Sequence, residues 1–456
     1  MRKHVRHKIL TEMFGENFCS SPWNSFHEGP QGLVSTCCKT RVPIGFSTKE
    51  DYKDMYNSEH AKDTRAKFLR GERPSQCKNC WVQESDGKPA LNRLHGNDMS
   101  TIENMYELVN ATDADGTLHD HRPEWLDLLW TSKCNFACLG CSPDLSSTIN
   151  NKYKKEFAVL HGRKPDDYYT DMTVWDNGGD KKIDYIMQHQ DTIRSIHLNG
   201  GEPFMQPETY DLLELLLKKG LHKKIQIWSH TNGSITKSYK GKDIIEDYLV
   251  HWGDNAKITM SMDGFGSVGE YTRYGYKDKK WLETYAKARD AGVKLTIQTC
   301  WNMFNAPNIH ETGQWLLDNC KWDYKNDPPF DKPDGSLTIW TDETVNTSML
   351  WYVPELAHMA IDSLKKMRDD PSNPYPTSWY NGIPRWIDWM EGPGREKVHK
   401  ERYTAGCEND WYLESWYKGI VLMDRKRGTS LCDSVPLLTP LYQYAQERFG
   451  AVEDLT

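Results

Sequence analysis

The sequence predicts an α/β fold in which parallel strands alternate with crossover helices, six units in succession, as in a partial (β/α)6 TIM-like barrel. Three observations predict it. Short apolar runs recur at 125–131, 193–198 (IRSIHL), 225–229 (IQIWS), 257–262 (KITMSM), 294–300 (KLTIQTC) and 336–340 (SLTIW). Helical text lies between them, near 207–219 (PETYDLLELLLKK), 241–251, 279–291 and 308–319. Polar residues suited to chemistry collect where these strands end, and parallel barrels carry their reactive groups at strand C-termini.

The first strand opens the stretch Trp125 to Cys141, WLDLLWTSKCNFACLGC, in which Cys134, Cys138 and Cys141 stand at C-x3-C-x2-C spacing. A [4Fe-4S] cluster normally takes four cysteines, so three thiolates on one loop leave one iron open. Zinc sites usually show paired C-x2–4-C arms and a fourth ligand, and ferredoxin runs are spaced C-x2-C-x2-C. Neither pattern stands here.

This spacing after a strand resembles the radical S-adenosylmethionine (SAM) superfamily. The resemblance implies that the open iron is chelated by the amino and carboxylate groups of SAM. Gly140 stands where that family usually has an aromatic residue. Later strand ends fit the same scheme. After the second come Gly200, Gly201 and Glu202, where glycines permit close backbone approach and a carboxylate can accept from an amino group. They match the family's GGE motif, which implies a role at the methionyl group. The third strand ends in Thr231-Asn232-Gly233, similar to a segment near the SAM ribose. The fourth ends in Ser261-Met262-Asp263-Gly264, with Arg273 twelve residues beyond the serine. In related peptide-modifying members a serine and an arginine so spaced bind the SAM carboxylate, a task suited to a planar, permanently charged guanidinium. Asp263 is read as a catalytic candidate, binding ribose or acting as general base. Gln298 and Asn302 are expected on the same rim, with Cys300 and Cys320 as buried hydrophobes.

A second cysteine group precedes the core. Cys19 and Cys37 bracket Gly32 in a C-x12-G-x4-C run, expected as a small hairpin turning at Gly29 to Gly32. Cys77 and Cys80 add a C-x2-C arm, completing four ligands, with Cys38 as the rival to Cys37. The pattern resembles the twitch module, the shortened SPASM domain, which holds an auxiliary [4Fe-4S] cluster. That module usually follows the catalytic core. A structural zinc site on the same thiolates is the alternative.

Composition narrows the function classes. With 456 residues, 38% of them hydrophobic, the chain has material for a catalytic domain and additions to it. A net charge of −8 gives no global pull toward extended nucleic acid or an anionic membrane. The basic MRKHVRHKIL start lacks the apolar core of a secretory signal, and no window approaches the length of a membrane span. The 12 cysteines, at metal-site spacings, suit a reducing cytoplasm. Of the 18 Trp and 23 Tyr, many stand in the last third, expected as a helical cap with buried aromatics, while isolated Cys407 and Cys432 are not assigned.

The expected organisation is an auxiliary module at 1–100, a linker at 101–123, the radical SAM core at 124–345 and a helical C-terminal region at 346–456. The polar excursion after the first strand, HGRKPDDYYTDMTVWDNGGD, is a solvated loop or a cover over the barrel mouth. By resemblance, the enzyme cleaves SAM reductively to a 5'-deoxyadenosyl radical that takes hydrogen from a substrate. The leading outcome is oxidation or crosslinking of a peptide or protein, with electrons from a donor such as a flavodoxin or ferredoxin. The same chemistry on a nucleotide, sugar or cofactor precursor is one alternative, and a non-catalytic zinc-binding protein the other.

Overall fold

The computed structural model describes residues 4–40, 42–85, 90–164, 176–320, 338–341, 354–369 and 410–455, with 387 and 391 singly. The chain divides into two units, one of residues 1–132 with 175–229, the other of 133–174 with 230–456.

In the first unit the N-terminal module and the first parallel strands of the core share one sheet. The hairpin Ser25–Glu28 and Leu33–Ser35 turns over Pro30–Gly32, where the glycines predict it, and Gly45–Phe46 adds to its outer edge. Ser25–Glu28 then runs parallel to Trp125–Leu129, which runs parallel to Ser195–Asn199, and that to Gln226–Thr231. The helix Pro207–Lys218 buries Tyr210, Leu213 and Leu216, one face at helical spacing. The 101–123 stretch, expected as a linker, instead contains the helix Ile102–Asn110. Met105, Leu108 and Val109 lie on one face of it and pack with Leu10, Phe18, Trp23 and Phe68 in the module's own core. Short polar flanks around this helix hide its period of apolar residues.

One polar row crosses this sheet. His27, Asp127 and His197 are register partners on three adjacent strands. His27 Nδ1 lies 2.5 Å from one Asp127 oxygen, and His197 Nδ1 lies 3.4 Å from the other, which also accepts from Asn199. Burial works against the Asp127 carboxylate, but His197 and His27 outweigh it and hold it well below the usual range. Burial also works against charged His27, and Asp127 outweighs it and raises that pKa. The depressed carboxylate stabilises the fold above about pH 4, and this is lost as pH falls through its folded pKa. The raised histidine stabilises it below about pH 6.5, and this is lost as pH rises through its folded pKa. Asp127→Asn is therefore expected to cost about 3–5 kcal/mol, as breaking a buried pair does. Urea unfolding of both proteins at pH 5.5 and 8.5 checks it, with a smaller difference expected at the higher pH.

The second unit carries Ala256–Ser261 parallel to Lys294–Trp301, and that parallel to Thr338–Thr341. The helices Asp278–Asp290 and Ile309–Cys320 follow the first two strands of this set. The helical text at 241–251 forms a π turn, Ile244–Tyr248, and a 3-10 run, Leu249–Asn255. Asp243 caps the first by accepting from Ile245 and Glu246 N–H, and Gly253, at φ 51°, breaks the second. After the cysteine loop come the helices Ser147–Lys152 and Lys154–Leu160; the middle of the polar excursion, 165–175, lies outside the described residues. The C-terminal helix Asp410–Arg427 buries Trp416 and Tyr417 as core. Cys407 and most of SWYNGIPRWIDWMEG lie outside the described residues. Among the described residues no helix is long and apolar enough to cross a membrane.

Candidate functional site

The cysteine loop of the second unit is held at nearly every residue. Cys134 N–H donates to the Ser147 hydroxyl at 3.1 Å, and its carbonyl accepts from Ser147 and Thr148. Ser146 donates to the Phe136 carbonyl at 2.6 Å while accepting from Ile149 N–H, which caps the helix that follows. Phe136, Ala137 and Leu139 turn inward and are buried, so the apolar letters between the cysteines anchor the loop. The three cysteines are half-buried. Phe136 N–H points at the Cys134 sulfur, 3.4 Å away.

Ala137–Cys138 forms a short antiparallel pair with Arg273–Tyr274, in which Arg273 stands directly opposite Cys138. Arg273 Nη1 donates to Asp263 Oδ2 at 2.9 Å, and Asp263 Oδ1 accepts from Cys300 N–H at 2.8 Å. Both Asp263 oxygens are thus engaged in orienting Arg273 and the next strand. Burial alone would lower the Arg273 pKa; Cys138, Asp263 and Cys300 reverse this and raise it. Cys300, expected as a buried hydrophobe, is half-buried beside this guanidinium, while Cys320 is fully buried as expected. Ser261 ends its strand with its carbonyl accepting from Trp281 Nε1 at 3.2 Å. Asn302 is buried and caps its own turn by accepting from Phe304 N–H.

Asn232 has a partner that the sequence does not suggest. Its amide donates to Asn135, inside the cysteine loop, at 2.9 Å, and its carbonyl accepts from both the N–H and the hydroxyl of Ser234. Asn135 donates in turn to Ser234 at 2.9 Å. The TNG segment thereby braces the loop between its first two cysteines.

Burial pushes the Cys138 thiol up, opposed by Arg273. It pushes Cys141 well up, with Cys138 and Cys134 adding like-charge repulsion. Such thiols ionise together only when a cation compensates them, as iron does on coordination. Among the described residues no three His, Cys, Asp or Glu side chains converge to hold a single ion; the thiolates of a four-iron cube bind separate irons and need not converge. The loop therefore fits a cluster.

In the first unit, Gly200 has φ 129°, and a side chain there would press on the Thr131 carbonyl and the Gln206 amide at 3.0 Å. Gly201 N–H donates to the same carbonyl at 3.2 Å. Glu202 is buried, and its Oε1 accepts from Phe204 N–H at 3.1 Å. The module's Cys19, Cys37, Cys77 and Cys80 all line one cavity, with Asn79, Asn92 and Arg93. Cys38 is exposed and accepts from Asn92 at 3.2 Å. Burial, then repulsion from Cys19, pushes Cys80 up to about 11.

The Radical SAM superfamily model matches residues 128–312, and the SPASM model, described as an iron-sulfur cluster-binding domain, matches residues 19–81. No curated protein matches. Among solved structures, polyhistidine-tagged anSMEcpe with bound AdoMet is 15% identical, at 57% of this chain and 62% of that one, with a TM-score of 0.37. Streptococcus suis SuiB bound to precursor peptide SuiA is 14% identical, at 67% and 63%, with a TM-score of 0.34. Likeness at this level carries no argument about substrate, and the chain spans about three fifths of the length of the structures it matches. Two family models each fall on one of the two cysteine groups: residues 128–312 form a radical SAM domain, and residues 19–81, ahead of it, a SPASM-type iron-sulfur domain.

Proposed function

We propose that this protein is a radical SAM enzyme that abstracts hydrogen from a peptide or protein side chain, leading to its oxidation or crosslinking. The observation that carries the reading is the pairing of Cys138 with Arg273 across two short strands, which joins a cluster ligand to a carboxylate binder. When bound, the reduced core cluster supplies the electron that splits SAM into methionine and a 5'-deoxyadenosyl radical. Cys134, Cys138 and Cys141 hold that cluster. Gly200, Gly201 and Glu202 receive the methionyl amino group, and Arg273 and Ser261 its carboxylate. Asp263 is a positioning carboxylate, since it holds Arg273 through an ion pair. Asn232 keeps the loop in register while its segment lies at the ribose. The strand and helix order supports a partial (β/α)6 barrel as the frame. Cys19, Cys37, Cys77 and Cys80 would hold the auxiliary cluster, which would supply a second electron-transfer centre, with a protein such as a flavodoxin or ferredoxin as the electron donor to the enzyme. A peptide substrate is favoured by the spacing of Ser261 and Arg273, which resembles that of peptide-modifying members.

Anaerobically reconstituted protein given SAM and a strong reductant is expected to release 5'-deoxyadenosine, read by chromatography. Protein that contains iron and sulfide, is reduced, and still leaves SAM intact with and without candidate peptides contradicts the proposal.

A further inference from the structure

We infer that Arg427, the last residue of the Asp410–Arg427 helix, is the fixed counter-charge of the Cys138 corner of the core cluster, so that the C-terminal helix sets how readily this cluster accepts an electron. The inference rests on reading Cys134, Cys138 and Cys141 as cluster ligands.

The Arg427 side chain is buried. Its Nη2 donates to the carbonyl of Ala137, the residue just before Cys138, at 2.6 Å. Its guanidinium lies 4.7 Å from the Tyr274 ring centre and 5.2 Å from that of Tyr153. Among the described residues its Nε and Nη1 meet no acceptor, although both are shielded from solvent. A carbonyl and two aromatic faces are partial compensation for a unit charge taken out of water. Asp424, one turn earlier, spends its oxygens on Thr429 Oγ1 at 2.6 Å and Leu431 N–H at 2.8 Å.

The further anion on hand is the Cys138 thiolate. The bond from Arg427 to the Ala137 carbonyl places the guanidinium beside Cys138, the next residue in the chain. Arg273 also faces Cys138, but its charge is met by Asp263. Arg427 makes no ion pair with a carboxylate among the described residues; Asp424 acts on it through space. Reduction adds negative charge to a cluster, and a buried cation beside it favours the reduced form.

The helix is fixed where this requires it. A methyl group on Gly419 would come within 2.4 Å of the Leu160 Cα, so the helix packs closely on Lys154–Leu160. Lys426 donates to Glu156 of that same helix at 2.6 Å.

The test is a redox titration of the reconstituted full chain, following by electron paramagnetic resonance the cluster signal that disappears in Cys134→Ala. Arg427→Gln removes the charge, and Arg427→Lys keeps it. The glutamine chain is expected to lose about tenfold in the equilibrium for reduction, about 59 mV more negative for one electron, while the lysine chain stays near wild type. A glutamine chain at the wild-type potential overturns the inference. So do equal shifts, or equal loss of iron, in both variants, since Arg427 would then act through packing. If wild-type protein shows no Cys134-dependent signal, the ligand reading itself fails, a separate result from either.

Discussion

Cys138→Ala is expected to reduce 5'-deoxyadenosine formation to background, a loss of more than about 10⁶-fold on the usual scale of enzymatic rate enhancement. The reason is local and chemical. Cys138 lies on the two-residue strand opposite Arg273, so backbone pairing fixes the place of this proposed ligand in the loop. Losing it leaves two thiols for a cube that already has only three from the protein. The fold should survive, because Ala137 and Leu139 anchor the loop and Leu139 N–H still donates to the Thr272 carbonyl. Circular dichroism matching wild type, with iron reduced to the auxiliary complement, separates loss of the cluster from loss of the fold. Substantial SAM cleavage by the folded variant would mean that this loop does not hold the reactive cluster.

Cys77→Ala combined with Cys80→Ala is expected to divide the activity. SAM cleavage persists, while turnover of the true substrate falls at least about 10²-fold, close to 3 kcal/mol in barrier. Both residues contribute to the cavity shared with Cys19 and Cys37, and neither belongs to the 133–141 loop. They also pack against the module's core of Phe18, Trp23 and Phe68. A stability cost of about 0.5–3 kcal/mol is therefore expected and is read in parallel by thermal unfolding. Product formation at the wild-type rate would reduce the module's cluster to a structural role.

The alternation of strands and helices was legible because buried strands and crossover helices write their periods into consecutive residues. All six strands start within two residues of the apolar runs that predict them. The cysteine loop was legible because ligand spacing is itself the signal. What escaped reading is tertiary. Nothing in SFHE says that Ser25–Glu28 pairs parallel to Trp125–Leu129, across about a hundred residues of chain. The row of His27, Asp127 and His197 follows from that pairing and from no motif. Asn135 and Asn232 are likewise ordinary loop residues until the fold joins them. Asp263 invites a role at substrate from its strand-end position, yet its oxygens serve Arg273 and Cys300. Arg427 sits in DRKRG, a charged helix end that reads as solvated surface, and tertiary packing buries it.

The most direct test of the account is the electron paramagnetic resonance spectrum of the reduced Cys77→Ala, Cys80→Ala chain, recorded with and without SAM. One cluster is expected, and SAM should shift its g-values by binding the iron that Cys134, Cys138 and Cys141 leave open. A reduced cluster signal that saturating SAM leaves unchanged would contradict the account.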